Sequence, residues 1–92
     1  MPFNITDDTM VVTSLDVTKN GLPVLEVSHE HDEEGGSLWQ FHSGNGEYAM
    51  NRIQLVRLST ILEIDPSLSE VSDLPMGCTA RRRSLGEPWI FN

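Results

Sequence analysis

The sequence predicts a single α+β domain in which one main helix, at about residues 52–64, packs on an antiparallel sheet of about five strands. Segments rich in β-branched residues, and a strand that carries Trp39 and Phe41, indicate the sheet. Apolar residues at helical spacing later in the chain indicate the helix. A chain of 92 residues fits one core. We therefore expect residues 10–92 to fold as one unit after a loose segment at residues 1–9.

The first three strands are expected to form an antiparallel meander. Strand one is predicted at residues 10–17, and Asn20-Gly21 after it is a strong turn signal. Strand two is predicted from Leu22 to about His29, with Pro23 near its start. A charged loop with two glycines then leads into strand three, predicted at residues 38–43.

Strand three gives the clearest prediction of two faces. Successive side chains of a strand point to opposite sides, so Trp39 and Phe41 share one face and Gln40 and His42 share the other. We expect Trp39 to lie in the core. The segment Ser43–Gly46 contains two glycines and an asparagine, which tolerate positive φ, so the strand is predicted to end there.

The main helix is predicted from an apolar stripe and from signals at both ends. Asn51 and Gln54 resemble a capping box, and Asp65 before Pro66 indicates the end of the helix. Asp65 is also expected to cap a short second helix that begins at Pro66 and runs toward Val71. The apolar stripe comprises Leu55, Leu58, Ile61 and Leu62.

Two final strands are predicted at residues 78–83 and 87–91, joined by a short loop that contains Gly86. Pro88 makes the last strand an edge strand, because proline has no N–H to donate. Alternation along residues 81–83 places Arg82 on the face opposite to its two neighbouring arginines.

The net charge of −8 is carried by the first half of the chain. Residues 1–50 contain nine acidic residues and one lysine, which gives −8, whereas residues 51–92 contain five acidic residues and five arginines. Such an acidic surface repels phosphate backbones, so nucleic acid is a poor partner and a basic protein is a better one. The only cysteine, Cys78, cannot form an internal disulfide and is expected to be a small buried side chain.

No apolar run is long enough for a membrane span, and the first residues lack the pattern of a signal peptide. We therefore expect a cytoplasmic protein that contacts no membrane. The sequence does not predict the oligomeric state.

Three patterns with possible chemistry have plainer explanations. Residues 44–49 match G-x-G-x-x-A, but the antiparallel strands expected before them favour an ordinary turn over a dinucleotide site. His29, His31 and His42 can gather at a divalent cation only if the strand register places them on one face. The carboxylates lack the contrasting environments that acid–base catalysis needs. We expect no enzyme activity, no cofactor and no metal site.

Four features follow one another along the chain: the turn after strand one, Trp39-x-Phe41-x-Ser43-Gly44 followed by Glu47-Tyr48, the helix end Ile64-Asp65-Pro66, and Leu74-Pro75-Met76-Gly77. In this order they resemble a family of small bacterial domains, the immunity proteins of type 33 from polymorphic toxin systems. The similarity covers roughly residues 11–83, and its motifs are structural in type. This chain departs from the family pattern at Gly36-Ser37-Leu38, where Asp-Ser-Gly is usual, and at His29, where arginine is usual.

The resemblance implies a protein without chemistry of its own that binds a cognate toxin and blocks it. The family supplies no catalytic residues to assign. The acidic surface is compatible with a basic toxin domain as partner, and Asp32, Glu33, Glu34 and Glu47 are the predicted partner-facing residues. A regulatory or housekeeping interaction domain with another partner is the alternative.

Overall fold

The described residues form a six-stranded sheet with the helices on one of its faces. The computed structural model describes residues 3–44 and 53–91. The strands among these residues are β1 Met10–Ser14, β2 Glu26–His31, β3 Ser37–His42, β4 Ile53–Arg57, β5 Cys78–Arg81 and β6 Ile90–Phe91. They lie in the order β4-β1-β3-β2-β5-β6. All neighbouring pairs are antiparallel except β1 and β3. The predicted α+β class is confirmed.

The helices are short. They are α1 Leu15–Thr18, α2 Leu58–Ile64 and a 3₁₀ helix at Pro66–Val71. The 3₁₀ helix and its cap are confirmed, because Asp65 Oδ1 accepts the backbone N–H of Ser67 at 3.0 Å. Pro66 fits the first turn because the N–H it lacks would have no partner within the helix.

The prediction of a helix over residues 52–64 is wrong in its first half. Ile53–Arg57 form β4 and pair along their whole length with β1. As a result Leu55 is 62 % exposed instead of lying on the buried side of a helix. The spacing of apolar residues within the segment carries no information about its pairing with β1, a strand about 40 residues away in the chain. The β-branched side chains of Ile53 and Val56 suit a strand in that pairing. The predicted cap at Asn51 lies outside the described residues.

The predicted antiparallel meander is confirmed for β2 and β3, which pair antiparallel, and is wrong for β1. β3 lies beside β1 and runs parallel to it, and β2 lies between β3 and β5. After Ser14 the chain leaves the sheet in α1, and β2 starts only at Glu26, four residues after the predicted start at Leu22. Val17 is buried in α1. Its apolar side chain enters the core from a helical turn, at a position where strand one was predicted to continue.

The core lies on the face of the sheet that the helices cover. Trp39 is 1 % exposed, so its predicted core position is confirmed. Val27 and Phe41 are opposite each other on neighbouring strands and are fully buried. The buried apolar residues that the helices contribute are Val17, Leu58, Ile61, Leu68 and Val71.

Two residues of the N-terminal segment, which was predicted to be loose, pack on the core. The Phe3 ring meets the Trp39 ring edge-on, with centroids 4.8 Å apart. The Asn4 side chain accepts the Trp39 indole N–H at 3.0 Å and donates to Ser37 Oγ at 2.9 Å. These contacts hold Phe3 and Asn4 against the start of β3.

The final hairpin and its edge position are confirmed, with β6 after Pro88 at the edge of the sheet. Alternation of the arginines is also confirmed. Arg81 binds Glu26 at 2.7 Å on the face away from the helices. Arg82 is buried on the other face, where its guanidinium binds Asp65 at 2.6 Å and lies 4.3 Å from the Trp89 ring centroid. Cys78 is a free thiol of intermediate exposure.

Candidate functional site

Strand polarity brings acidic residues from three separate segments to one end of the sheet. The N-terminus of β1, the turn between β2 and β3, and the loop before β5 all lie at this end, as the strand registers show. Each acidic side chain at this end of the sheet is exposed. Among the described residues, the exposed basic side chains at the same end are those of His31, at the end of β2, and Arg57, at the end of β4. We call this region the acidic end; its members are Asp7, Asp8, Glu30, Asp32, Glu33, Glu34 and Asp73.

The predicted partner-facing residues of the β2–β3 turn differ in what they contact. Asp32 points into its own turn, where Oδ1 accepts the backbone N–H groups of Glu34 at 2.8 Å and Gly36 at 2.7 Å. Gly35 adopts φ +83°, which a glycine tolerates without strain. Asp32 therefore stabilises the turn, and Glu33 and Glu34 carry exposed carboxylates at its tip. Glu47, the fourth predicted residue, lies outside the described residues.

A polar network occupies the sheet face opposite the helices of the described residues, and we call this face the uncovered face. Gln40 Nε2 donates to Glu30 Oε2 at 2.9 Å, and Gln40 Oε1 lies 3.0 Å from His42 Nε2. Because the Gln40 amide nitrogen is turned to the carboxylate, its oxygen faces His42, and the imidazole must donate from Nε2. Alternation along β3 predicted this face for Gln40 and His42, and the prediction is confirmed.

This network lines a shallow depression of about 430 Å³ on the uncovered face. Glu26 and Arg81 lie on one side of the depression, and Val12 and Ile53 lie on the other. Burial lowers the pKa of His42 from its ordinary value of 6.5, and the opposing effect of the Glu26 carboxylate is smaller. His42 is therefore neutral at pH 7. The charges of Glu26 and Arg81 offset each other in their ion pair, so the net charge of the depression is the negative charge of Glu30.

The three histidines are not brought together. His29 lies on the core face, where its ring stacks on Trp39 with centroids 4.0 Å apart, whereas His42 lies on the uncovered face. The His29 nitrogens are 2.8 Å from Leu74 O and 3.0 Å from Ser37 Oγ. Among residues 3–44 and 53–91, no group of three or more histidine, cysteine or acidic side chains is placed to hold a metal ion.

Several residues of these sites could not be identified from the sequence. Nothing local places Asp7 or Asp73 at the same end of the sheet as the β2–β3 turn, because that placement depends on the parallel pairing of β1 with β3 and on the β2–β5 pairing. The Gln40–Glu30 contact has a weak signal, since both residues are polar and alternate with buried ones along their strands. The residues that match G-x-G-x-x-A lie outside the described residues after Gly44.

Within the described parts of the chain, no helix is both long and apolar enough to cross a membrane. Comparison with known protein families, with curated proteins and with solved structures finds no match to this chain. The arguments for function therefore rest on the acidic end and on the uncovered face.

Proposed function

We propose that the protein is a non-catalytic binding protein that neutralises a cognate basic toxin by direct contact through the acidic end. The observation that carries the proposal is the convergence of seven exposed carboxylates from three segments at one end of the sheet. The resemblance to type 33 immunity proteins suggests the toxin. The carboxylates suggest that the contacted surface of the toxin is basic.

The geometry of the acidic end favours a macromolecular partner over a small ligand. Its carboxylates are exposed and spread across the ends of several strands, so they do not line an enclosed pocket. Charges in such an arrangement attract an oppositely charged protein at long range and raise its association rate. Their effect decreases with salt, because the Debye length is only about 8 Å at physiological ionic strength.

The turn at residues 32–36 is well suited to present charge. Two backbone N–H groups donate to Asp32 and fix the turn, so little conformational entropy is lost when Glu33 and Glu34 meet a partner. Replacement of Asp32 would disturb the turn as well as the charge. A test of the charge alone should therefore keep Asp32 and change only the two glutamates.

The test compares two variants with identical net charge. Glu33→Lys/Glu34→Lys reverses the tip of the acidic end, and Glu63→Lys/Glu87→Lys reverses two exposed carboxylates elsewhere. The second pair adjoins Ile64 and Leu85, which lie together away from the acidic end. Each immobilised protein is exposed to lysate of the source organism, and captured proteins are identified, purified and titrated by calorimetry at 50 and 300 mM salt.

We expect a basic protein with toxin activity that the wild type inhibits. The Glu33→Lys/Glu34→Lys variant should bind it about tenfold or more weakly, and the control variant should bind nearly as the wild type does. Equal weakening by both variants would show that net charge, and not the acidic end, determines binding. Capture of a partner without toxic activity would favour the alternative of a regulatory or housekeeping interaction domain.

A further inference from the structure

The turn after α1 exposes an asparagine that is followed by a glycine. Asn20 and Gly21 are both exposed, and Gly21 adopts φ +70°, which glycine tolerates without strain. Apart from its chain neighbours, no heavy atom of the described residues lies within 4 Å of the point where a Cβ on Gly21 would stand. Solvent therefore has free access to the peptide bond that joins the two residues.

The backbone N–H of Gly21 is not engaged by the fold. The N–H groups on either side of it donate within the turn, that of Asn20 to Leu15 O at 3.1 Å and that of Leu22 to Asp16 O at 3.0 Å. Within the described ranges no protein acceptor receives the Gly21 N–H. An amide nitrogen must give up its proton before it can attack a carbon atom, and a hydrogen bond inside the protein would hold that proton. The Gly21 nitrogen has no such protection.

The side chain of Asn20 is held beside a buried carboxylate. Asn20 Nδ2 donates to Asp16 Oδ1 at 3.1 Å, and Asp16 is only 4 % exposed. This hydrogen bond requires a donor at position 20, because an ionised carboxylate can only accept. A change of Asn20 from an amide to an acid would therefore remove a hydrogen bond and place two negative charges together.

We propose that Asn20 is a site of spontaneous deamidation in the folded protein and that the new carboxylate repels Asp16. Asparagine is a thermolabile residue. The Gly21 nitrogen forms a bond to Asn20 Cγ, the bond from Cγ to Nδ2 breaks, and ammonia leaves with the proton that Gly21 gave up to solvent. One water molecule then opens the cyclic imide at either carbonyl carbon. One opening gives aspartate, and the other gives isoaspartate, in which the main chain passes through the former side chain.

Both products weaken the contacts around the turn. The carboxylate at position 20 has no proton to donate to Asp16 at pH 7. In isoaspartate the main chain is also one atom longer between α1 and the segment that leads to β2. That segment contains Val24, whose carbonyl accepts Arg82 Nε at 3.1 Å. We therefore expect deamidation to lower the stability of the fold.

The first test locates the modification by mass spectrometry. The protein is kept at pH 8 and 37 °C, folded or unfolded in urea, and a deamidated residue is heavier by about one dalton. Cleavage after glutamate places Asn20 in fragment 1–26 and the second Asn-Gly sequence, Asn45-Gly46, in fragment 35–47, so the two are measured separately. The matched control is Asn20→Gln, which keeps an amide but would have to close a larger and slower-forming ring.

We expect fragment 1–26 of the folded protein to gain mass at a rate within about tenfold of the rate in urea, because the exposed turn needs no global unfolding to react. The gain should vanish in Asn20→Gln. The proposal would be overturned if Asn20 of the folded protein stayed intact over the time in which the urea-unfolded chain converts. A mass gain of fragment 1–26 that Asn20→Gln retains would overturn it as well.

The second test measures the repulsion in the product. Asn20→Asp reproduces the aspartate product and should lower Tm by about 4 °C or more. Asp16→Asn/Asn20→Asp exchanges the two side chains and again places an amide beside a carboxylate, at unchanged net charge. Asn20→Asp should therefore lower Tm by less in the Asp16→Asn background than in the wild type. Equal losses in the two backgrounds would show that the new carboxylate does not repel Asp16.

This proposal and the proposed function fail separately. The turn at Asn20 and Gly21 follows the C-terminal end of β1, whereas the acidic end adjoins the N-terminus of that strand. Neither mass spectrometry nor the thermal unfolding of these variants requires a partner protein.

Discussion

The ion pair between Arg82 and Asp65 is expected to be the polar contact on which stability depends most. Its side chains are 1 % and 10 % exposed, respectively. The guanidinium donates to Asp65 Oδ2 at 2.6 Å, to Ser67 Oγ at 3.1 Å and to Val24 O at 3.1 Å. This one side chain therefore connects β5 to the 3₁₀ helix and to the segment before β2.

The substitution Asp65→Asn isolates the effect of charge. Asparagine retains an oxygen that can accept the Ser67 N–H, so the cap of the 3₁₀ helix is kept. The lost carboxylate leaves a buried cation without its counter-charge, which costs about 3–5 kcal/mol. The expected stability of a 92-residue domain is only on the order of 5–14 kcal/mol. At about 4–8 °C per kcal/mol, a loss of 3 kcal/mol should lower Tm by at least about 12 °C.

Urea denaturation followed by circular dichroism measures this change. Glu63→Gln makes the same chemical change at an exposed residue and should alter the unfolding free energy by less than about 0.5 kcal/mol. Glu26→Gln removes a carboxylate from the pair with Arg81, whose side chain is 55 % exposed, and should cost less than about 1 kcal/mol.

A double-mutant cycle separates the pair from the rest of the site. Arg82→Met removes the buried cation, so adding it to Asp65→Asn should recover part of the lost stability. The reasoning would be refuted if Asp65→Asn cost less than about 1 kcal/mol, or if the effects of the two substitutions were simply additive.

Two further predictions concern the N-terminal contact and the uncovered face. Phe3→Ala should lower the unfolding free energy measured in urea by about 3 kcal/mol, because it empties a buried aromatic site. The control Phe91→Ala changes a side chain that is 55 % exposed and should lower it by less than about 1 kcal/mol. Similar losses for the two variants would contradict the packing of Phe3 on the core. The lowered pKa of His42 means that the unfolded chain binds a proton more readily than the folded one, so stability should be full above pH 6.5 and decrease as pH falls through the folded pKa. Between pH 7 and 5, His42→Gln should therefore lose less stability than the wild type, and equal slopes of stability against pH for the two proteins would exclude this effect.

The parts of the fold that the sequence predicts correctly are those that depend on residues close together in the chain. Asp65 before Pro66 determined a helix end and the start of a second short helix, because proline fixes its own φ and restricts the residue before it, and because the Asp65 carboxylate can cap that helix. Alternation in β3 determined that Trp39 is buried and that Gln40 faces away from it. The same local reasoning was wrong for residues 53–57, where apolar spacing fitted a helix and the pairing with β1 decided for a strand.

The candidate site depended even more on distant contacts. The sequence determined the charge of the first half and the exposure of Glu33 and Glu34, because a charged loop with glycines cannot enter a core. It could not determine that Asp32 would turn inward to bind its own backbone. Nor could it place Asp73 at the same end of the sheet, since that required the order of strands.

By itself, then, the sequence determined an acidic α+β domain, the burial of Trp39, and the end of the main helix at Asp65. Only the tertiary structure decided the parallel pairing of β1 with β3, the strand at Ile53–Arg57, and the gathering of the acidic end. The physical reason is that backbone hydrogen bonds between strands have nearly the same energy for many sequences, so local composition cannot select a strand's partner. Selection comes from burial of the whole core, in which residues far apart in the chain act together.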